Sequence, residues 1–600
     1  MRKATLWPSL MVARDTNRDM ELMRKTTRSR IWLLMPVIVT ATLAGCSKPA
    51  ETDDSADFVF TNAKVYTVND AAPWAEAVAV KGNKIIYVGD AAEVESLVGP
   101  ATRRYDAAGQ LLLPGFIDSH MHPITGGAYV NVLSLDTYGT VDDWVAAIAD
   151  YAAANADAPL LFGYGFLAST FGPVGPTRQL IDAVVPDRPV FIVDEGFHGA
   201  WANSAALDAM NITQDTPDPT PGFSYYKRDA NGDATGYLLE GTAMLAMEQL
   251  DVITEDSVTE GVATLIDMMN AYGVTAAFDA GFIGYEDIAA SILQRTAESG
   301  ELTLRLVGSY RPTGPEDVAD AVENTLESAR TLKGERYHYN VLKIMDDGTI
   351  EGRTAAMFED YQGEPGNSGA TVYTQDEMTS MIVGAAKQNI DVHIHALGER
   401  AIHETLNSIE AARKAAPDSS SRYAICHIEV ITDQDLPRFA ELDVIAQSTP
   451  LWASYDTYGE QFVSPEQFHR FWRFNSLKEL GVRLSFGSDY PASGAGTLGL
   501  SPLLQIEIGH TRQWAGERDA PVQPRATERL DIASLVRGFT IDAAYQMHMD
   551  EQIGSIEVGK KADLIVLDQN IFDIDVYDIH KTRVLITMLD GDIVHGSIPE

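Results

Sequence analysis

Leu111-Leu-Leu-Pro-Gly-Phe-Ile-Asp-Ser-His-Met-His-Pro123 is the stretch from which the fold can be read. Leu111 to Leu113 and Phe116 to Ile117 are apolar runs of strand type. Side chains on a strand alternate between its faces, so His120 and His122, two apart, project to the same side. Two neutral imidazoles at a strand end make a chelate suited to zinc and similar borderline ions. With 13 histidines in 600 residues, one His-x-His can arise by chance. Its meaning depends on what accompanies it.

From about Pro114 to Ala544, short apolar strand candidates alternate with helical stretches, the pattern of a parallel α/β architecture. The candidates are Phe116 to Ser119, Leu160 to Tyr164, Val190 to Val193, Val274 to Asp279, Leu304 to Ser309, Val341 to Met345, Val392 to His395, Ala424 to Ile428, Val444 to Gln447 and Leu484 to Ser488. A (β/α)8 barrel holds two fewer, so some must belong to an insertion. The region 140–250, rich in Pro, Gly and Asp at Asp215 to Pro221, is expected to be a substrate-side excursion. Upstream, Phe58 to Phe60, Lys64 to Val68, Ala77 to Val80 and Ile85 to Val88 read as short strands, with a hairpin turn at Gly82-Asn83. Downstream, Ala562 to Asp568 and Val584 to Val594 repeat that texture around Asp590-Gly591. The expectation is one β-sandwich built from residues 57–113 and 545–600, flanking a barrel over 114–544.

The first 45 residues differ from the rest. Arg24, Lys25, Arg28 and Arg30 precede an apolar run, Ile31 to Leu43, that is too short to span a bilayer and ends in Leu43-Ala44-Gly45-Cys46. This resembles a bacterial lipoprotein signal with its lipobox. The resemblance implies cleavage before Cys46, lipid on that thiol, and export, with Ser47 favouring the outer membrane; a start at Met20 or Met23 gives a more usual signal length. The alternative is a short uncleaved anchor. Ser47 to Ala56 is polar and reads as a flexible tether. Cys46 and Cys426 are the only cysteines, so a lipidated Cys46 leaves no disulfide within the chain. Residues 1–45 hold eight Lys/Arg and three Asp/Glu, so the formal charge of −41 becomes −46 once they are removed. Such a surface repels polyanions, which disfavours nucleic acid as a partner.

In a barrel of this kind, catalytic groups come from the C-terminal ends of the strands. His120 and His122 close the first strand. Lys343 lies within Val341-Leu-Lys-Ile-Met345, followed by Asp346, Asp347 and Gly348; a lysine so flanked snorkels, pairs or is chemically changed. His395 ends Val392-His-Ile-His395, with His393 on the same face. His427 ends Ala424 to His427, and Asp489 follows Leu484 to Ser488. Each alone can be a polar cap or a turn. Together, in this order, they argue for a site.

On these residues the sequence resembles the metal-dependent amidohydrolase superfamily, in the amidohydrolase family 3 branch of YtcJ-like proteins and N-substituted formamide deformylase. The motifs that carry the resemblance are Pro114 to His122, Arg188-Pro-Val with His198 to Ser204, Gly236 to Glu240, Lys343 to Gly348, His395 to Ile402, His427, Gly487-Ser-Asp489 and Gly554 to Asp563. They extend over residues 57–595 and imply a (β/α)8 barrel with a composite β-sandwich. The resemblance implies that His120 and His122 bind one divalent metal, zinc by ligand type, that His395 and His427 bind a second ion or the same one, and that Asp489 completes the set. Lys343 matches the position where members can carry a carbamate bridging two metals. The Ala-Leu-Gly after His395 favours it over His393 as ligand. His198 and Trp201 fall in a stretch placed near substrate, although a helix cap and a core Trp account for them equally; Glu240 is a further acidic ligand or substrate contact. Glu399 and Arg400 depart from the family's Gly-Asp, and a surface ion pair explains them as well as a function does.

The reaction so implied is hydrolysis of a carbon–nitrogen bond other than a peptide bond, in an amide, formamide or cyclic amide. Metal-activated water would attack, Asp489 would shuttle the proton, and His198 or His427 would steady the oxyanion. Two alternatives stand beside it: an ester or carbamate hydrolase on the same scaffold, and a surface lipoprotein that binds ligand without turnover. The expected partners are a small-molecule substrate and the membrane through lipid on Cys46, with a homo-oligomer left open.

Overall fold

The computed structural model describes residues 55–598 except 138, 196–198, 220–223, 240, 283–284 and 458. The signal segment, Cys46 and most of the tether therefore lie outside the described residues. Among the described residues no helix is long and apolar enough to cross a membrane.

Eight strands form the central parallel sheet: β1 (Phe116–Met121), β2 (Val274–Asp279), β3 (Arg305–Tyr310), β4 (Tyr337–Met345), β5 (Asp391–Ala396), β6 (Tyr423–His427), β7 (Val444–Ser448) and β8 (Leu484–Phe486). They neighbour one another in sequence order from β1 to β8. Every residue of β1, β2, β6, β7 and β8 is buried. Continuous burial is what a parallel sheet covered on both faces imposes, and it explains why these strands read as unbroken apolar runs.

The seam between β8 and β1 closes the ring just past the ends of the strands. The Asp489 N–H donates to the His120 carbonyl at 2.8 Å, the His122 N–H to the Tyr490 carbonyl at 2.9 Å, and the Ser488 N–H to Asp118 Oδ1 at 2.9 Å. Gly487 makes this approach possible: a Cβ there would lie 2.4 Å from the His120 nitrogen and 2.6 Å from Asp118 Oδ1. The seam thus sets Asp489 beside the histidine pair of β1.

Two of the ten strand candidates leave the barrel. Leu161–Phe166 and Val190–Asp194 pair in parallel within a separate six-stranded sheet that also takes in Leu133–Ser134, Gly199–Ala202, Ala234–Leu239 and Tyr225–Arg228. This sheet lies between β1 and β2 in the chain and has its own apolar core, which includes Trp144, Ile148, Phe166, Ile192 and Trp201. It begins at Leu133 rather than near residue 140, because Leu133–Ser134 is its edge strand.

The two ends of the described chain meet in one sheet. Leu111–Pro114 pairs antiparallel with Leu564–Leu567, which continues through Val584–Leu589 to Asp592–Gly596; a four-stranded sheet from Phe58–Thr61, Ala77–Lys81, Lys84–Gly89 and Arg103–Asp106 completes the sandwich. Its core holds Phe60, Val78, Val80, Leu112, Val566 and Met588, each large aliphatic or aromatic side chain contributing about 1.5–3 kcal/mol on burial. The hairpin at Asp590-Gly591 has both residues at positive φ, 52° and 83°, the turn that matches the twist of its strands. Asp563, last residue of the Gly554 to Asp563 motif, binds Arg305 of β3 in bidentate fashion at 2.8 and 3.0 Å, and Arg305 also meets Asp590 at 2.7 Å. That triad, with Arg305 and Asp563 buried, fastens the sandwich to the barrel wall.

Candidate metal centre and reaction chamber

The six polar residues singled out at the strand ends all gather at one mouth of the barrel, and all are buried: His120, His122, Lys343, His395, His427 and Asp489. His120 Nε2 lies 3.3 Å and His122 Nε2 3.5 Å from Asp489 Oδ1, and His427 Nδ1 lies 3.8 Å from Asp489 Oδ2. The His427 ring sits 4.8 Å from that of His120 and 4.5 Å from that of His395, centroid to centroid. His427 and Asp489 adopt positive φ, 73° and 53°. Both strands therefore turn sharply at the residue that carries the functional group, and such conformations are held only where surrounding structure enforces them.

The outer contacts of the rings determine where their protons sit. His122 Nδ1 lies 2.9 Å from the Gly281 carbonyl, which only accepts. His395 Nδ1 lies 3.2 Å from Asp347 Oδ1, whose carboxylate is held in place by the N–H groups of Ala356, Leu397 and Gly398. A neutral imidazole has one N–H, and a partner of this kind fixes it on Nδ1, leaving Nε2 with a bare lone pair. His122 Nε2 faces Asp489 Oδ1. His120 Nδ1 is 2.8 Å from His393 Nε2. Burial, reinforced by the Lys343 charge, holds both His120 and His393 well below the usual imidazole value, so both are neutral. His427 is likewise depressed, by burial and then by His395. Burial alone would raise Asp489, but the His122 contact and the charges of His427 and Lys343 outweigh it and keep the carboxyl below its ordinary value.

The Nε2 atoms of His120 and His122 converge on Asp489 Oδ1 at 3.3 and 3.5 Å, so three potential ligand atoms surround one point. His120, His122 and Asp489 bring one donor atom each to within 4.8 Å of one another, as do His120, Cys426 and His427. The donor chemistry fits a divalent metal: imidazole nitrogens with carbonyl and carboxylate partners behind them, and a carboxylate oxygen.

Several contributors were not legible in the sequence. Cys426, considered above only for disulfides, is free and fully buried; Lys343 Nζ reaches its Sγ at 3.2 Å, and burial pushes the thiol up to about 12. His393 lies one layer beneath His395 and backs His120. Asp347 stood inside a quoted motif without a role. Tyr339 donates to Asp279 at 2.6 Å, Asp279 accepts the Gly281 N–H at 2.9 Å, and the Gly281 carbonyl faces His122, a chain spanning β2 and β4 with no local sequence signal.

Trp201 is not among the gathered residues. It is fully buried, donates its indole N–H to the Thr177 carbonyl at 2.9 Å and packs edge-on to Phe171 and Phe166. Its position is that of a core residue of the excursion sheet. His198 and Glu240 lie outside the described residues. Glu399 and Arg400 do not form a surface pair with each other. Glu399 is buried against Arg470 at 3.0 Å, while Arg400 donates to the carbonyls of Met357 and Gly369, each at 3.1 Å. Both tie down loops above the barrel.

Known proteins resemble this chain over most of its length. Residues 103–595 match the model of the amidohydrolase family. The exoenzymes regulatory protein AepA of Pectobacterium carotovorum subsp. carotovorum is 32% identical over 66% of this chain and 85% of its own length. The N-substituted formamide deformylase of Arthrobacter pascens is 29% identical over 89% of this chain and 97% of its own. Among solved structures, an uncharacterized metal-dependent hydrolase from Pyrococcus furiosus superposes with a TM-score of 0.67 at 22% identity, covering 86% of this chain and all of that one. This chain belongs to the amidohydrolase family and is a hydrolase acting on carbon–nitrogen bonds.

Proposed function

We propose that the chain hydrolyses the carbon–nitrogen bond of a small amide, formamide or cyclic amide, and that one or two divalent ions, zinc by donor type, reside among His120, His122, His395, His427 and Asp489. The observation that carries this reading is the convergence of the His120 and His122 Nε2 atoms on Asp489 Oδ1, at 3.3 and 3.5 Å, at the C-terminal mouth of the barrel. A bound ion supplies Lewis acidity, polarising a carbonyl and acidifying water. The residues do the rest. Asp489, ionised and aligned by the seam, accepts a proton from the attacking water and returns it to the leaving nitrogen. His427, against the half-buried Trp452 at a ring distance of 5.6 Å, is placed to steady charge on the carbonyl oxygen. The deformylase of A. pascens supports the substrate class by its name.

Lys343 lies buried within the same set, its Nζ 3.2 Å from Cys426 Sγ of β6. We read it as the position of a bridging carbamate, in which the amine, carboxylated by carbon dioxide, becomes an anionic oxygen ligand; labelled bicarbonate followed by NMR, in the wild type and in Lys343→Ala, tests this. For cellular address we propose an exported lipoprotein anchored through Cys46, tested by membrane fractionation of wild type and Cys46→Ala.

The functional test is metal analysis of the purified protein with a panel of N-acyl and N-formyl compounds and matched esters, repeated on Asp489→Asn. Stoichiometric metal with amide turnover lost in Asp489→Asn supports the reading. Unchanged turnover in that variant removes Asp489 as the proton shuttle, and preference for the esters overturns the substrate class.

A further inference from the structure

A second group of ionisable residues stands on the same rim as the histidines and takes no part in the chemistry above. Glu351 follows β4, Glu429 lies two residues past His427, and Asp456 follows β7, four residues past Trp452. One carboxylate oxygen of each lies within 4.8 Å of the other two. Glu429 is 3% exposed, and its Oε1 has no hydrogen-bond partner.

The basic residues nearby in the chain are engaged elsewhere. Arg353 pairs with Glu364 at 2.9 Å and covers the Phe462 ring, Arg470 pairs with Glu399 at 3.0 Å, and Arg473 pairs with Asp433. A buried carboxylate without a counter-charge is costly, and a fold that neutralises Asp563 with Arg305 leaves this one to be neutralised from outside. Glu351 is exposed, so the cluster has an open side.

We propose that Glu351, Glu429 and Asp456 form a cation-binding subsite of the reaction chamber, and that preferred substrates carry a protonated amine or a guanidinium remote from the bond that is cut. The substrate part of this inference rests on the hydrolase reading. An ammonium offers three N–H donors and a guanidinium a planar fork of five, and ionised oxygens are their strongest acceptors. A hard divalent ion needs roughly six to eight oxygens; three side chains, one of them exposed, suit an organic cation better.

The test uses the metal-loaded full chain in two measurements. In the first, N-acyl or N-formyl substrates are compared in pairs that differ only in a terminal ammonium or a terminal hydroxyl. The cationic member is expected to lead by about tenfold or more in kcat/KM, because a buried acceptor left unpaired discriminates strongly. Glu429→Gln and Glu351→Gln are each expected to collapse that ratio, with Glu429→Asp retaining part of it. In the second, calorimetry with alkylguanidinium and alkylammonium salts, which carry no bond to cut, reads the subsite alone; binding is expected in the wild type and at least about tenfold weaker in Glu429→Gln.

Thermal melts of each variant confirm that it is folded. Binding of these salts without turnover of any amide would sink the hydrolase reading and leave the subsite standing. The proposal is overturned if no such salt binds, if the variants bind as the wild type does, or if calcium occupies the triad stoichiometrically and excludes the organic cation.

Discussion

Two clusters of ionisable side chains share one mouth of this barrel and are built on opposite plans. In the imidazole cluster, outer partners set the rings: the Gly281 carbonyl for His122, Asp347 for His395 and His393 for His120. The acceptors behind His122 and His395 hold a proton on the outer nitrogen of each ring, and the ionised carboxylate, Asp489, is fixed by the barrel seam. In the carboxylate cluster, Glu429 has an oxygen with no partner at all, and the charges around it share its sign. The first arrangement is pre-organised to hold an ion and to do chemistry; the second is left wanting a positive charge. The triad of Arg305, Asp563 and Asp590 shows how the same fold treats a buried carboxylate whose role is structural: it supplies the cation itself.

The largest effect expected from this contrast is in turnover. Asp489→Asn removes the proton acceptor while keeping its shape, and kcat/KM for the best amide should fall by about 10²–10⁴-fold, as steady-state kinetics would show. Asp563→Ala should cost stability rather than chemistry, about 3 kcal/mol, because it leaves Arg305 buried without its bidentate partner. Denaturant unfolding followed on the full chain measures it.

Asp347→Asn separates orientation from ligation. It removes the charge behind His395 without touching an inward-facing atom, so metal affinity by competition with a chelator should drop about 10–100-fold, and added metal should restore turnover. Burial, and then the carboxylates of Glu351, Asp456 and Asp347, push Glu429 well above its ordinary value, so Glu429→Gln should raise the melting temperature most at alkaline pH, where the wild-type group must ionise; a lower melting temperature there would mean that the carboxylate already has an internal counter-charge.

The smallest effect concerns pH. Although one side of Glu351 opens to solvent, desolvation by the atoms packed around its carboxyl, together with Asp456 and Glu195, pushes it from its ordinary 4.5 up to about 7. The folded chain therefore binds a proton that the unfolded chain has released, and the stability this confers, full below about 4.5, is lost as pH rises through about 7. Glu351→Gln should flatten that part of the stability profile.

What the sequence made legible follows from periodicity. His120 and His122 could be placed together because a strand alternates with period two, and His395, His427 and Asp489 because each ends an apolar run. The barrel's share of the strands was harder to see. Leu161–Phe166 and Val190–Asp194 are as apolar as β1, because the excursion sheet packs a core of its own, and burial alone does not say against which sheet a strand lies.

Cys426 was passed over because one thiol in an apolar strand is indistinguishable from core. Asp347 is held by backbone N–H groups from two loops, one of them about fifty residues away in sequence. The carboxylate cluster was the least visible: Glu351 and Asp456 sit on loops whose paths no periodicity encodes, and only Glu429, in His427-Ile-Glu429, repeats the spacing that identified the histidines of β1. Trp201 shows the converse, a motif residue whose large apolar ring belongs to packing.

The account stands on one cation lying between the histidines of β1 and Asp489. X-ray absorption at the metal edge of the purified full chain, with metal content measured on the same sample, reads this directly. The account predicts one or two ions per chain with several imidazole ligands at about 2.0–2.1 Å, and loss of that signal in His120→Ala and His122→Ala. A protein that retains no stoichiometric metal under gentle purification, or whose metal environment is the same in both variants, would contradict it.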